Sequence, residues 1–338
     1  MSSSWQPPAR RHLLRRLPLY LISASLAALL QASITSGCLA EEAKGIQAIL
    51  ELQSVFFTTS EPVEVRFSLW NPDTKDARSL PQPPLVRYFE LVNADGQKLA
   101  PATVALDAPR PPALPPGGHY GIAFDLSKLF PQLRSPGTYR LSWKSHELIS
   151  NQVVLKIVSP YDPKKQYAAS LETTMGTVKI EFFPDKAPLA VKNFIELAFS
   201  GFYDGTRIYY VDPDRMIAGG DRNGNGTGTP GYTYPVERND LQMLAGTVGM
   251  KRGGAPPMNG SQFFILAAPR ADFTGQYTAF AQVIDGLEVV QKISRVPNSG
   301  RQSDPPFQPL TDVIVNKVTI SEKGAVGPAE KTAPAAAN

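Results

Sequence analysis

Side chains that could serve as nucleophiles, bases or soft metal ligands are scarce in this 338-residue sequence. The single Cys is Cys38, and the three His are His12, His119 and His146. From Lys165 to the end there is neither His nor Cys, so that stretch offers no thiolate nucleophile, no imidazole base and no His or Cys metal site. One Cys also excludes a disulfide framework. Any chemistry in the second half must proceed without these groups.

A glycine-rich stretch, residues 219–231, is the sequence nearest in composition to a phosphate-binding loop. Such a loop requires a helix directly after its glycines and, in the P-loop form, a Lys-Ser or Lys-Thr pair. Neither follows Gly231. The stretch is therefore predicted to be a tight irregular loop.

The first forty residues have the order of an export signal. Four arginines between residues 10 and 16 precede an apolar run, residues 17–30, which is shorter than the ~20 residues that a spanning helix needs. We predict a signal peptide over residues 1–40, cleaved near Ala40. A twin-arginine signal, lipidation at Cys38 in a lipobox-like sequence, and an uncleaved membrane anchor are the alternatives. Each predicts an exported protein, periplasmic or associated with the bacterial cell envelope.

The charge balance gives no sign of a polyanionic partner. Residues 1–40 hold four of the 34 Lys+Arg and none of the 30 Asp+Glu, so their removal lowers the formal net charge from +4 to zero. The basic character belongs to the signal, and no nucleic-acid partner is predicted. Contact with a membrane is expected only through the signal segment or a lipid anchor.

Two globular segments follow, as the length suggests at about 100–200 residues per domain. In residues 45–159, alternating runs such as 63–69 and turn signals such as Asp95-Gly96 predict an immunoglobulin-like β-sandwich.

In residues 166–322, many strands and two helices predict a closed barrel. The first of these helices has Pro188 near its start, an apolar face that includes Phe194, and Gly201 as its C-terminal cap. A polar joint, 159–165, separates the segments, and the Ala/Pro-rich tail, 323–338, is predicted to be disordered.

Several short sequences of the second segment, in order, resemble a bacterial-type cyclophilin. They are residues 173–181, 183–188, 193–194 and 201–206, Met216-Ile217-Ala218-Gly219-Gly220-Asp221, and Asn259-Gly260-Ser261-Gln262-Phe263-Phe264-Ile265. The resemblance implies an eight-stranded antiparallel β-barrel with two helices. It also implies peptidyl-prolyl cis-trans isomerisation without a cofactor or metal, acting on proline-containing segments of exported proteins.

This activity needs neither His nor Cys, because rotation of an Xaa-Pro amide breaks no covalent bond. The barrier of ~18–20 kcal/mol comes from lost amide resonance. A catalyst therefore needs an apolar pocket for the proline ring, groups that hold the flanking backbone, and a donor aimed at the prolyl nitrogen, which regains its lone pair as conjugation is lost.

This sequence differs from the family at several positions of the active site that the resemblance implies. Met216, Gln262 and Phe264 match the residues that line the proline pocket in the family. The Arg that serves as donor in the family is replaced by Tyr210. A phenol donates one hydrogen bond, but it lacks the positive charge and the paired N–H donors of a guanidinium. The other replacements, with the family residue in parentheses, are Arg215 (Phe), Ala218 (Gln), Lys251 (Ala), Arg252 (Asn), Asp272 (Trp), Phe273 (Leu) and Tyr277 (His).

These replacements leave three hypotheses for function. The first is an isomerase with reduced catalysis, in which Tyr210 or Arg215 serves as donor, or Arg215 or Arg252 supplies the missing charge. The second is a non-catalytic peptide-binding module or chaperone, whose groove is made basic by Arg215, Lys251 and Arg252 and favours acidic residues near proline. The third makes the barrel a scaffold, with recognition in the β-sandwich.

Overall fold

The computed structural model describes residues 45–80, 88–104, 112–145, 148–253 and 258–322. The predicted signal, Cys38 and the predicted tail lie outside these residues. Within them the chain is mainly β, with 20 strands, three α-helices and two short 3₁₀-helices, Pro131–Arg134 and Ala271–Phe273. No helix in the described part of the chain is long and apolar enough to cross a membrane.

Residues 45–159, the N-terminal segment, contain ten strands and one short α-helix. They are β1 (Gln47–Leu52), β2 (Phe57–Thr58), β3 (Glu64–Trp70), β4 (Arg78–Ser79), β5 (Phe89–Val92), β6 (Lys98–Leu99), β7 (Ala113–Leu114), β8 (His119–Asp125), α1 (Leu126–Leu129), β9 (Gly137–Trp143) and β10 (Val153–Val158). The strands form a sheet of order β1-β3-β8, a sheet of order β2-β10-β9-β5-β6, and a β4-β7 pair.

The two larger sheets of the N-terminal segment cover one hydrophobic core. In β3 the alternation predicts the buried face correctly, since Val65, Phe67 and Leu69 are fully buried whereas Arg66 is exposed. Trp143 on β9, also fully buried, packs against Phe67 with ring centres 4.9 Å apart. The strands are confirmed, and the immunoglobulin-like assignment stays a prediction. The sequence did not predict α1.

Residues 166–322, the barrel, contain ten further strands and two helices. They are β11 (Tyr167–Thr173), β12 (Gly176–Phe182), α2 (Pro188–Phe199), β13 (Thr206–Arg207), β14 (Tyr210–Asp212), β15 (Met216–Gly219), β16 (Tyr234–Pro235), β17 (Thr247–Gly253), β18 (Met258–Leu266), β19 (Thr278–Asp285), α3 (Leu287–Ser294) and β20 (Ile314–Glu322). One sheet of order β13-β20-β11-β12-β19-β17-β18-β15-β14 curls around the core, and β16 pairs with β18.

The chain itself joins the two ends of this sheet. β13 pairs with β20 and β14 pairs with β15, yet only Ile208 and Tyr209 separate β13 from β14. Their backbone N–H groups bridge the gap, because Ile208 donates to the Val313 carbonyl (2.9 Å) and Tyr209 to the Ala218 carbonyl (3.0 Å). With β13 and β14 taken as one interrupted strand and β16 set aside, eight antiparallel strands encircle the core, as the resemblance implies.

Helix α2 follows the predicted pattern. Pro188 is in its first turn, and Phe194 is fully buried with the rest of the predicted apolar face. Gly201 has a φ of +65°, the left-handed conformation that a C-terminal cap requires and that glycine adopts without strain. At the other end, the Glu237 carboxylate accepts hydrogen bonds from the backbone N–H groups of Leu189 (2.9 Å) and Ala190 (2.8 Å).

The N-terminal segment packs directly on the barrel. Phe56 and Val158 are buried in the same hydrophobic cluster as Tyr167 and the face of α2. Lys156, on β10, donates to the Ser200 carbonyl at the end of α2 over 2.6 Å. The two segments therefore share apolar burial as well as a hydrogen bond.

Candidate active site

The residues of the predicted peptide groove lie on the outer face of the barrel, where alternation along the strands places every second side chain. On β15 and β18, Ile217 and Ile265 point into the barrel core, whereas Ala218 and Phe264 belong to a separate cluster outside it. This outer cluster consists of Tyr209, Tyr210, Met216, Ala218, Leu241, Met243, Phe264, Leu266, Phe273, Tyr277 and Ala279. Six predicted site residues are thus brought together: Tyr210, Met216, Ala218, Phe264, Phe273 and Tyr277.

Three aromatic rings form the apolar part of the groove. Phe264 is only 2% exposed and contacts Phe273 and Tyr277 edge-on, with ring centres 5.7 and 5.3 Å apart. Phe273 and Tyr277 pack on each other at 4.6 Å. Gly249, on the neighbouring strand β17, leaves the space that the Phe264 ring occupies. The three rings form one packed aromatic cluster, in which Phe273 and Tyr277 are partly exposed.

Tyr210 is half-buried at the edge of this cluster, with its ring edge-on to Phe307 at 5.5 Å. Among the described residues, none forms a hydrogen bond with its hydroxyl, whereas the neighbouring Tyr209 hydroxyl donates to Gln262 over 2.7 Å. Burial raises the pKa of Tyr210, and the Asp212 carboxylate raises it further against the opposing effect of nearby guanidinium groups. The phenol is therefore a neutral donor available to a ligand.

The two predicted arginines occupy different places. Arg215 lies in the turn between β14 and β15, with its Nη1 3.9 Å from the Asp212 carboxylate. Arg252, near the end of β17, places its guanidinium carbon 4.7 Å from the Tyr277 ring centre and donates from Nη1 to the Gln276 carbonyl (3.0 Å). Arg215 is thus held in the hairpin that carries Tyr210, whereas Arg252 belongs to the aromatic surface.

Gln262 is hydrogen-bonded within the protein at both ends of its amide. Its Oε1 accepts from Tyr209 (2.7 Å) and Lys251 (3.0 Å), and its Nε2 donates to the Gly226 and Gly228 carbonyls at 3.1 and 2.7 Å. Gln262 therefore fastens the glycine-rich loop to β18. Lys251 has the same role, because its ammonium also donates to the Gly226 carbonyl at 3.3 Å.

The glycine-rich loop is irregular, as predicted, and it is organised around a buried carboxylate. Asp221 is fully buried and accepts from the backbone N–H groups of Asn223 (2.9 Å), Asn225 (2.9 Å) and Gly226 (2.5 Å). Three backbone amides of the loop are therefore occupied by this side chain. The loop contacts the predicted groove residue Gln262 through the carbonyls of Gly226 and Gly228.

Replacing Asp221 by Asn should loosen this loop and, through Gln262, the groove. The three charge-assisted hydrogen bonds would be weakened in a buried setting, so we expect a loss of about 2–3 kcal/mol in the free energy of unfolding, measured in urea. Asp240→Asn is the control, because that side chain is 85% exposed. Equal unfolding midpoints for the two variants would contradict the structural role of Asp221.

Sequence comparison alone did not reveal several groups beside the predicted site. Arg270 stacks on Phe273 with its guanidinium carbon 4.0 Å from the ring centre and forms two hydrogen bonds with Asp272 (2.9 and 2.7 Å). Phe307 contacts Tyr210, and Arg301 lies over the Phe307 ring at 5.6 Å. Arg301 and Phe307 lie about ninety residues further along the chain than Tyr210, so no local spacing signals the contact.

Comparisons with known proteins match the barrel segment of the chain. A sequence model of the family described as cyclophilin type peptidyl-prolyl cis-trans isomerase/CLD matches residues 168–320. A peptidyl-prolyl cis-trans isomerase of Synechococcus elongatus is 44% identical over 127 residues, which cover 37% of this chain and 87% of that protein. Peptidyl-prolyl cis-trans isomerase B of Streptomyces anulatus is 34% identical over 177 residues, covering 47% of this chain and 99% of the relative.

Among solved structures, a cyclophilin type peptidyl-prolyl cis-trans isomerase of Cryptosporidium parvum is 29% identical. The match covers 46% of this chain and 98% of that one, with a TM-score of 0.43.

The two sequence relatives, at least 34% identical and covered over 87% and 99% of their length, define the class of protein. The chain belongs to the cyclophilin-type peptidyl-prolyl cis-trans isomerase family through residues 168–320. Members of this family are peptidyl-prolyl cis-trans isomerases.

Proposed function

We propose that this protein is a peptidyl-prolyl isomerase of reduced catalytic power, in which the Tyr210 phenol replaces a guanidinium as donor to the prolyl nitrogen. The observation that carries the proposal is the pairing of an apolar aromatic surface around Phe264 with a Tyr210 hydroxyl that has no hydrogen-bond partner among the described residues. The proline ring would lie against Phe264, Met216 and Phe273, and the donor would stabilise the twisted amide.

Reduced catalysis follows from the chemistry of the donor. A phenol donates one hydrogen bond without charge, whereas a guanidinium offers a charged fork, and charge-assisted hydrogen bonds are about twice as strong as neutral ones. Arg215 is engaged with Asp212 and Arg252 with Tyr277 and Gln276, so we assign the donor to Tyr210.

The direct test is an isomerisation assay on a proline-containing peptide with the purified protein and its Tyr210→Phe variant. The variant loses the hydroxyl and keeps the ring, so we expect a fall of about fivefold in kcat/KM, the worth of one neutral hydrogen bond. Equal kcat/KM values would remove Tyr210 from the mechanism. No turnover by either protein would favour the non-catalytic peptide-binding module.

We expect isomerisation to be independent of pH between about 6 and 9. Burial and Asp212 raise the Tyr210 pKa above its usual value, so the protonated donor is fully present at lower pH and is lost only as pH rises through the raised pKa. The barrel also has no His to titrate in this range. A pH profile of kcat/KM with a midpoint near neutrality would show that another group governs the rate.

We further propose that the protein acts on exported clients in the bacterial periplasm or cell envelope. The support is the arginine-then-apolar order of the first forty residues. Mass spectrometry of the mature protein after cell fractionation tests this. A mature N-terminus near residue 41 is expected, a lipid-modified Cys38 would establish the lipoprotein alternative, and an intact protein in the cytoplasm would contradict export.

A further inference from the structure

The basic side chains around the groove differ in what already neutralises or occupies them. Arg270 is paired with Asp272 through two hydrogen bonds, and Arg215 lies 3.9 Å from Asp212. Lys251 is taken up by the Gln262 side chain and the Gly226 carbonyl. Arg252 has no carboxylate within ion-pair distance among the described residues, and the four residues after Gly253 are Gly, Ala, Pro and Pro, which carry none.

The Arg252 guanidinium is held in a defined orientation. It lies over the Tyr277 ring at 4.7 Å, and its Nη1 donates to the Gln276 carbonyl at 3.0 Å. Stacking on an aromatic ring fixes the plane of the fork, so less side-chain entropy is lost when its remaining N–H groups meet an acceptor. Those groups match a carboxylate, which accepts hydrogen bonds from two parallel N–H donors.

The distance from this guanidinium to the proline surface limits where such a carboxylate can lie. The Tyr277 ring centre is 4.7 Å from the Arg252 guanidinium carbon and 5.3 Å from the Phe264 ring centre. The guanidinium is therefore within about 10 Å of Phe264, a distance that an extended peptide spans in about three residues. An Asp or Glu side chain one or two residues from the proline could reach it.

We propose, resting on the groove assigned above, that this protein prefers peptides with an acidic residue one or two positions from the proline, and that Arg252 binds its carboxylate. The two stacked rings Tyr277 and Phe273 each carry a guanidinium, but the charges of these groups differ in how they are balanced. Arg270, on Phe273, is neutralised by Asp272, whereas Arg252, on Tyr277, has no such partner among the described residues. The preference should therefore be stronger on one side of the proline than on the other.

The test compares matched peptides that carry Glu or Gln before the proline, and Glu or Gln after it, with the full chain. For at least one pair we expect kcat/KM to favour Glu by about fivefold at low ionic strength, since an exposed ion pair contributes modestly, and the ratio should shrink in about 1 M salt. Arg252→Gln should bring the ratio to one, and Arg252→Lys should keep part of it.

Arg140→Gln is the matched control, because it removes one exposed guanidinium from β9, outside the barrel, and should keep the wild-type ratio. Ratios of one for both pairs in the wild type, or an unchanged preference in Arg252→Gln, would overturn the proposal. If neither peptide is isomerised, the isomerase assignment fails. The binding affinities of the same peptides then test the acidic preference by themselves. Tighter binding of the Glu peptide that is lost in Arg252→Gln supports the preference, whereas equal affinities or no binding overturn it.

Discussion

Replacing Tyr210 by Arg should raise kcat/KM for proline isomerisation by about 10- to 100-fold, since one well-placed donor to a developing charge is worth this much or more. The position lies on β14 at the edge of the aromatic groove, and its hydroxyl has no hydrogen-bond partner in the described part of the chain. A guanidinium there would bring two charged N–H donors to the prolyl nitrogen, and Asp212 lies close enough to attract it electrostatically.

The gain is expected below the upper end of that range because other cations are near. Arg215, Arg270 and Arg301 all act on the Tyr210 hydroxyl electrostatically, so a further guanidinium would be repelled by them. Tyr210→Lys is the informative control, because it supplies charge without a fork and should gain less. Activity in Tyr210→Arg alone would identify the natural protein as a peptide-binding module, and unchanged activity would place the donor elsewhere.

Replacing Gly249 by Ala should disrupt the groove from beneath. A Cβ at Gly249 would lie 2.3 Å from Cζ of Phe264 and 2.8 Å from both of its Cε atoms, so the buried ring must move. Overpacking of this kind costs about 1–3 kcal/mol of unfolding free energy. Because a displacement of about 1 Å can cost 10²-fold in rate, we expect kcat/KM to fall more than about tenfold. Urea unfolding and the isomerisation assay measure the two effects.

Gly253 provides a matched control on the same strand. A Cβ added there has no atom of the described residues within 4 Å, so Gly253→Ala should change neither stability nor turnover appreciably. Phe264→Leu in the Gly249→Ala background should restore part of the lost stability, because the shorter side chain vacates the contested space. Similar losses in Gly249→Ala and Gly253→Ala would point to a general cost in β17 instead of a collision with Phe264.

The barrel was predictable because its signals are local. Pro188, the buried face around Phe194, and Gly201 predicted α2, which the structure confirms. The grouping of Tyr210, Met216 and Phe264 followed from short sequences that resemble those of the family. Short strands such as β13, with only two residues, carry too little pattern to predict.

The electrostatic state of the groove was less predictable, because it depends on contacts between distant residues. Lys251 and Arg252 are adjacent in sequence, yet one ties down the glycine-rich loop and the other stacks on Tyr277. Gln262 matches a groove residue of the family, but its amide is occupied by Tyr209, Lys251 and two loop carbonyls. Composition gives the number of charges, whereas pairing decides which of them a ligand can meet.

The interrupted strand 206–212 both closes the barrel and carries Tyr210. The hydroxyl can therefore meet the aromatic surface only while Tyr210–Asp212 is paired with β15. A peptide that contacts both Tyr210 and the aromatic surface binds only molecules in which β14 is paired with β15. By mass action, its binding lowers the population of molecules in which this pairing is broken. Amide hydrogens along this strand would then exchange more slowly when the groove is occupied, so closure of the barrel and occupancy of the site form one coupled equilibrium.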